Sequence, residues 1–315
     1  MANNYDQTAS STPTTASRWW IYQRERFPLF AYGALIAVFS LSAVSYSSLA
    51  RGQNAWPSLE AFLTAFVTAY IFFVQLRIAD EFKDIDDDTR FRPYRAVPRG
   101  LVSLRELGWI GYAGLPVQIA LAFRLRTELL TPLAFALFYL HLRNKEFYVR
   151  NWLKAHPFTY MWSHLLILPA ILFYAMACDW LGAGAARPAG LGWFLSVSFF
   201  NGAAYEIARK SRAPQDEEKG VETYTFLWGT RNAVLAWWIA FLLMAVSAWR
   251  AAAIIHVATP VLCLMALMVV LAGLLGRQFL REPVTASARR LETFTRWWTL
   301  IVYLGLGPVP LLLGI

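Results

Sequence analysis

Asp80-Glu81-Phe82-Lys83-Asp84-Ile85-Asp86-Asp87-Asp88 follows directly on an apolar run, and its reading decides the fold. Helical spacing puts Asp80, Asp84 and Asp88 on one face, four residues apart each time. Carboxylates that close repel one another and hold their protons more tightly unless something cationic neutralises them. A divalent ion is the usual answer, and Mg²⁺ is commonly held by one or two carboxylates plus substrate phosphates. Further along, Asp216-Glu217-Glu218 also follows a long apolar segment. The rest of the chain reads as a scaffold that brings these two clusters together beside a lipid-accessible pocket.

Apolar stretches of about 20 residues, enough to cross a bilayer as a helix, fall at 28–48, 58–79, 104–123, 128–142 and 157–178. Others follow at 190–208, 232–249, 252–275 and 294–314. The expected architecture is therefore an all-α membrane protein with nine transmembrane helices around a central cavity. Charge supports it. With the N-terminus in the cytoplasm, every Lys and Arg except Arg51, Arg124, Arg126, Arg187 and Arg250 belongs to the cytoplasmic segments and their edges, as the positive-inside rule requires. Both acidic clusters then face the cytoplasm, on the long connections 80–103 and 209–231. Carboxylates so near membrane depth are expensive and usually functional.

Composition agrees. Of 315 residues 57% are hydrophobic and only 16% charged, with 14 Trp and a mean hydropathy of +0.41; a soluble chain would carry about 25% charged residues. The net charge of +9 does not point to nucleic acid, because the basic residues lie in short loops between apolar runs rather than on one soluble face. Cys178 and Cys263 sit in apolar surroundings and read as packing residues, not as a disulfide or zinc framework. Residues 1–27 read as a disordered Ser/Thr-rich tail with an interfacial lead-in, and 28–315 as one transmembrane domain.

These motifs carry a resemblance. The chain is similar to the UbiA-type superfamily of intramembrane prenyltransferases, whose pattern is N/D-x-x-x-D-x-x-x-D ending the second helix, followed by R-P-x-P-x-G. Here these stand as Asp80…Asp84…Asp88 and Arg95-Ala96-Val97-Pro98-Arg99-Gly100. The second pattern, D-x-x-x-D-x-x-x-G-V-x-T/S, corresponds to Asp216 through Gly220-Val221-Glu222-Thr223, with Arg212 standing where the family has its first Asp. Glu206 is the carboxylate able to substitute there. The resemblance implies ionisation of an isoprenyl diphosphate with Mg²⁺ as cofactor. Asp80, Asp84, Asp88 and Asp216 would be the catalytic and metal-holding carboxylates, joined by Glu206 at the metal. Lys83, Arg95, Lys145 and Arg212 would help hold the diphosphate.

The resemblance also implies the partners: the lipid bilayer, the isoprenyl diphosphate and, for a transferase, a hydrophobic or aromatic acceptor that takes the prenyl group as pyrophosphate leaves. Some members resemble terpene cyclases, which would use the same first step without an acceptor. A cation transporter is the alternative from another class, but both clusters lie at one membrane face, whereas transporters bind near the midplane. His164 reads as a packing histidine or as a base.

Overall fold

An apolar segment inside a bilayer can satisfy its backbone polar groups only by coiling or by closing a barrel, and this chain coils throughout. The computed structural model describes residues 14–314, and among these there is no strand. In order the helices are α1 (Thr15–Arg26), α2 (Leu29–Ala50), α3 (Leu59–Phe91), α4 (Leu104–Leu125), α5 (Leu130–Asn144), α6 (Arg150–Ala155) and α7 (Pro157–Leu165). They continue with α8 (Ile167–Gly182), α9 (Leu191–Arg209), α10 (Tyr224–Trp228), α11 (Thr230–Ile254), α12 (Ala258–Arg281), α13 (Thr285–Leu306) and α14 (Pro308–Leu313). Five segments are long and apolar enough to cross a membrane: Leu29–Ala50, Leu59–Phe91, Pro157–Gly182, Thr230–Ile254 and Ala258–Arg281. The fourth apolar stretch, expected at 128–142, is the short helix α5.

Helix α8 is the hub, packing against α2, α3, α5 and α9. It is buried nearly all round, and Ala170, Ala175 and Ala177 let its neighbours approach. A kink separates it from α7 at Leu166, because Pro169 has no N–H to give the carbonyl of Leu165. On the other side of the bundle α11 bridges α9 and α12, and α13 closes the circuit back to α2. Between α3 and α4 the small residue is glycine: a Cβ on Gly114 would lie 2.4 Å from Cγ2 of Ile71.

Two departures from expectation concern the acidic end. Helix α3 does not stop at residue 79 but runs on to Phe91, 33 residues in all, or about 50 Å at 1.5 Å per residue. Its last three turns therefore project beyond an apolar layer about 30 Å thick, and the expected loop 80–103 shrinks to 92–103. The N-terminal lead-in is also helical. Residues 1–13 of the expected tail lie outside the described residues, but α1 begins at Thr15, capped by the Thr14 hydroxyl accepting from the Ser17 N–H at 3.3 Å. It ends where Pro28 keeps Phe27 extended. Arg18 pairs with Glu106, which also closes a capping box with Ser103 at the start of α4. Tyr22 packs with Ile78, Ala96, Val97, Val102 and Leu107 in a small second core. Between α1, α3 and α4 this leaves a cleft of about 490 Å³, lined by Trp19, Trp20, Phe27, Val74 and others.

The opposite end of the bundle is locked by an ion pair. Asp179 at the end of α8 is 4% exposed and accepts from Arg51 Nη2 at 2.9 Å, Arg51 Nε at 3.0 Å and Ser47 Oγ at 2.7 Å. Asp179→Asn keeps the shape but removes the charge that holds Arg51. It is expected to lower stability by about 2 kcal/mol, read as an earlier thermal unfolding midpoint in detergent.

Candidate functional site

The projecting end of α3 carries the first acidic motif, and the structure separates its members. Asp80 faces α5: its Oδ1 lies 3.2 Å from Arg143 Nη2 and 3.6 Å from Lys83 Nζ. Asp84 is half-buried one turn on, and among the described residues it makes no ion pair. Asp88 points elsewhere. It is 2% exposed and sits in a nest of arginines, with Arg92 Nη2 and Arg95 Nη1 both at 2.7 Å and Arg26 Nη2 at 3.9 Å. Neighbouring Glu81, also buried, takes Arg26 at 2.6 Å and Arg77 at 2.9 Å.

The difference follows from helix geometry. Four residues advance about 400° around the axis, so Asp84 is about 40° and Asp88 about 80° from Asp80. Glu81 and Asp88, seven apart, differ by only about 20° and share one face. That face meets α1, which explains why Arg26 approaches both. The sequence placed Asp88 with the metal ligands and Arg95 with the diphosphate; in the fold these two hold each other.

Around Asp80 and Asp84 gather residues from three further helices. Arg143, in the last turn of α5, is mostly buried, and its Nε has no hydrogen-bond partner among the described residues. Lys83 Nζ lies 5.3 Å from the centre of the Tyr160 ring on α7. Tyr160 Oη donates to Glu146 Oε1 at 3.2 Å, and Glu146 Oε2 lies 3.0 Å from Arg150 Nε. Arg209, near the end of α9, lies within electrostatic reach of Asp80. It pairs with Glu206 at 2.7 Å, and Lys210 adds a second cation at 2.9 Å while lying over the Tyr224 ring at 5.6 Å.

Other expected residues fall outside this group. Lys145 caps α5 and is exposed. Arg143 takes the inward place expected of it, because residues two apart on a helix point to nearly opposite sides. The signal was present: Arg143 continues the buried Ala136–Leu140 stripe by one turn. Asp216 accepts from Thr285 Oγ1 at 3.0 Å, and Arg212 reaches Glu218 at 2.8 Å and the Asp216 carbonyl at 3.2 Å. Glu217 accepts from Thr223 Oγ1 at 2.6 Å and Thr225 Oγ1 at 2.8 Å. The second motif is thus a self-bonded loop. It meets the first through Gly220, whose φ of +78° places it where a Cβ would lie 2.5 Å from Cδ1 of Phe91. Gly220→Val is expected to cost about 1–3 kcal/mol through backbone strain, checked as a lower unfolding midpoint than Gly192→Val, where no atom lies within 4 Å of the added Cβ.

The UbiA prenyltransferase family model matches residues 37–301, which include both motifs and the whole site. The chain belongs to the UbiA prenyltransferase family. A UbiA homolog from Aeropyrum pernix K1, in its apo structure, superposes with a TM-score of 0.65 at 16% identity, over 86% of this chain and 96% of that one. A digeranylgeranylglyceryl phosphate synthase structure gives 0.62 at 15% identity over 92% and 97%, and a UbiA homolog from Archaeoglobus fulgidus gives 0.53 at 13% over 93% and 100%. These likenesses show a shared fold. No curated protein sequence matches the chain. The protein is an integral membrane protein of a prenyltransferase family.

The site's donor set suits Mg²⁺. Among the described residues no cluster of three or more His, Cys, Asp or Glu is placed to hold a metal by itself. Asp80 and Asp84, one turn apart on α3, supply two hard oxygen donors, the number Mg²⁺ commonly takes from protein when substrate phosphates fill other positions.

Proposed function

We propose that the protein ionises an isoprenyl diphosphate at the end of α3 and transfers the prenyl group to an acceptor, releasing pyrophosphate. The observation that carries this reading is the pairing of two differently engaged carboxylates with two largely buried cations, Lys83 and Arg143. Asp80 and Asp84 would hold Mg²⁺, while Asp88 organises Arg92, Arg95 and Arg26 instead. Bound there, Mg²⁺ would act as a Lewis acid on the diphosphate oxygens and neutralise the leaving group.

The chain's own residues do the rest. Arg143, with a spare buried Nε donor, would grip a phosphate oxygen, and a guanidinium does so with directed hydrogen bonds. Lys83 and Arg209 add positive charge at the same face of the site. Tyr160 and Tyr224 offer aromatic faces that favour a developing allylic cation. The apolar tail would lie among the helices while the diphosphate stays at the polar boundary.

Nine membrane passes with a cytoplasmic N-terminus would put this boundary on the cytoplasmic side. The charge asymmetry supports that orientation, since the opposite end holds Arg51, Arg124 and Arg126 in local pairings with Asp179, Glu60 and the Leu181 carbonyl. Cyclisation without an acceptor is the second reading, favoured by the Tyr160 ring that lies against Lys83.

Product analysis separates the two. Protein in nanodiscs would receive Mg²⁺ and geranyl, farnesyl or geranylgeranyl diphosphate, with and without a membrane lipid extract. A prenylated product formed only with the extract supports transfer. A cyclic hydrocarbon formed without it replaces transfer by cyclisation.

A further inference from the structure

His164 lies one turn beyond Tyr160 on α7 and is 7% exposed. Its Nδ1 is 2.8 Å from the carbonyl oxygen of Tyr160. A carbonyl oxygen only accepts, so Nδ1 carries the ring proton and Nε2 carries a lone pair. That Nε2 is buried without a hydrogen-bond partner among the described residues. Leaving a buried acceptor unpaired forfeits its hydrogen bond to water, so a merely packed histidine would be poorly served here.

Its surroundings are those of the site. The imidazole lies flat on the Tyr160 ring, centroids 4.0 Å apart, and that same ring has Lys83 Nζ at 5.3 Å. The charged groups facing it are Asp80 and Lys83 from α3 and Arg143 from α5. The edge of Phe147 covers it, centroids 5.9 Å apart at 74°. Phe147 belongs to a left-handed turn, Glu146-Phe147-Tyr148, with φ of +48°, +54° and +61°. Such backbone is strained for residues with a side chain and persists only where contacts impose it. Here the contacts are Glu146 to Tyr160 and Arg150. Strain is thus held in place beside the imidazole.

We propose that Nε2 of His164 accepts the proton that the reaction must shed. This rests on the reading given under Proposed function. The C1–O bond breaks with its electron pair leaving on pyrophosphate, and an electron pair of the acceptor forms the new bond to C1. The acceptor's C–H or O–H bond then breaks, its electrons stay with the product, and the proton goes to the Nε2 lone pair. Cyclisation sheds its proton the same way, from the carbon next to the final cation. The proton then passes on to a pyrophosphate oxygen, and the histidine is reset.

Two measurements test this. Histidine ring nitrogens labelled with ¹⁵N, in metal-free protein, should show His164 as the neutral Nδ1–H tautomer near pH 7, assigned by its loss in His164→Gln. A proton on Nε2 would overturn the proposal without any turnover being needed. In the turnover assay above, His164→Gln and His164→Asn should keep pyrophosphate release within about three-fold of the unmutated protein. The asparagine amide still offers a donor to the Tyr160 carbonyl and guards against misfolding. The ratio of coupled or cyclised product to free prenyl alcohol should fall at least ten-fold, in line with the roughly 10²–10⁴-fold worth of a positioned proton acceptor. An unchanged ratio in both variants would overturn the proposal. Failure of the unmutated protein to release pyrophosphate would instead overturn the reading on which it rests.

Discussion

Asp84→Ala is expected to cut pyrophosphate release about a thousand-fold while leaving the protein folded. Losing one of two protein donors to Mg²⁺ removes several kcal/mol of stabilisation from the departing diphosphate, and about 4 kcal/mol is a thousand-fold in rate. Stability should not fall, because Asp84 has no ion-pair partner to abandon and lies between Asp80 and Asp88, which repel it. The unfolding midpoint should stay level or rise slightly, as it does where a strained site is relieved. The check is pyrophosphate release beside a thermal melt in the same detergent. Turnover within ten-fold of the unmutated protein would remove Asp84 from the site.

Asp88→Ala should behave in the opposite way. It strips the anion from Arg92 and Arg95, which are 17% and 21% exposed on their side chains, and from Arg26 at 10%. Removing one partner from a buried charge cluster costs about 3–5 kcal/mol. For a chain of this size that lowers the unfolding midpoint by roughly 5–8 °C. The variant should lose folded protein first and activity with it. Asp88→Asn combined with Arg95→Gln should recover part of the loss, because the unpaired charges are reduced on both sides. A stable but inactive Asp88→Ala protein would place Asp88 among the metal ligands after all.

The contrast between these aspartates marks how far the sequence could be read. Apolar length and the i, i+4 spacing were enough to put an acidic motif at the end of a long helix, and the helices fall on the apolar stretches. The turn-by-turn phase was also written there, since Glu81 and Asp88 share a face by their spacing of seven. What sequence could not supply was the partner of that face: α1 reads as a lead-in, and nothing in its composition says that Arg26 reaches across to α3. Arg143 was overlooked for Lys145 by two positions, although the buried stripe of α5 points at Arg143. The second motif shows a different limit. Its carboxylates look free in sequence, yet Thr223, Thr225, Thr285 and Arg212 engage them in the fold. The lock of Asp179 and Arg51 joins residues 128 apart and leaves no local pattern to find.

Pyrophosphate release by the purified protein in nanodiscs, given geranylgeranyl diphosphate with Mg²⁺ or with EDTA, tests the central claim most directly. Release is expected with Mg²⁺, none with EDTA, and none from Asp84→Ala in either. No release under any condition, together with Mg²⁺ flux through liposomes carrying the protein, would contradict it and make the carboxylates of α3 a cation path.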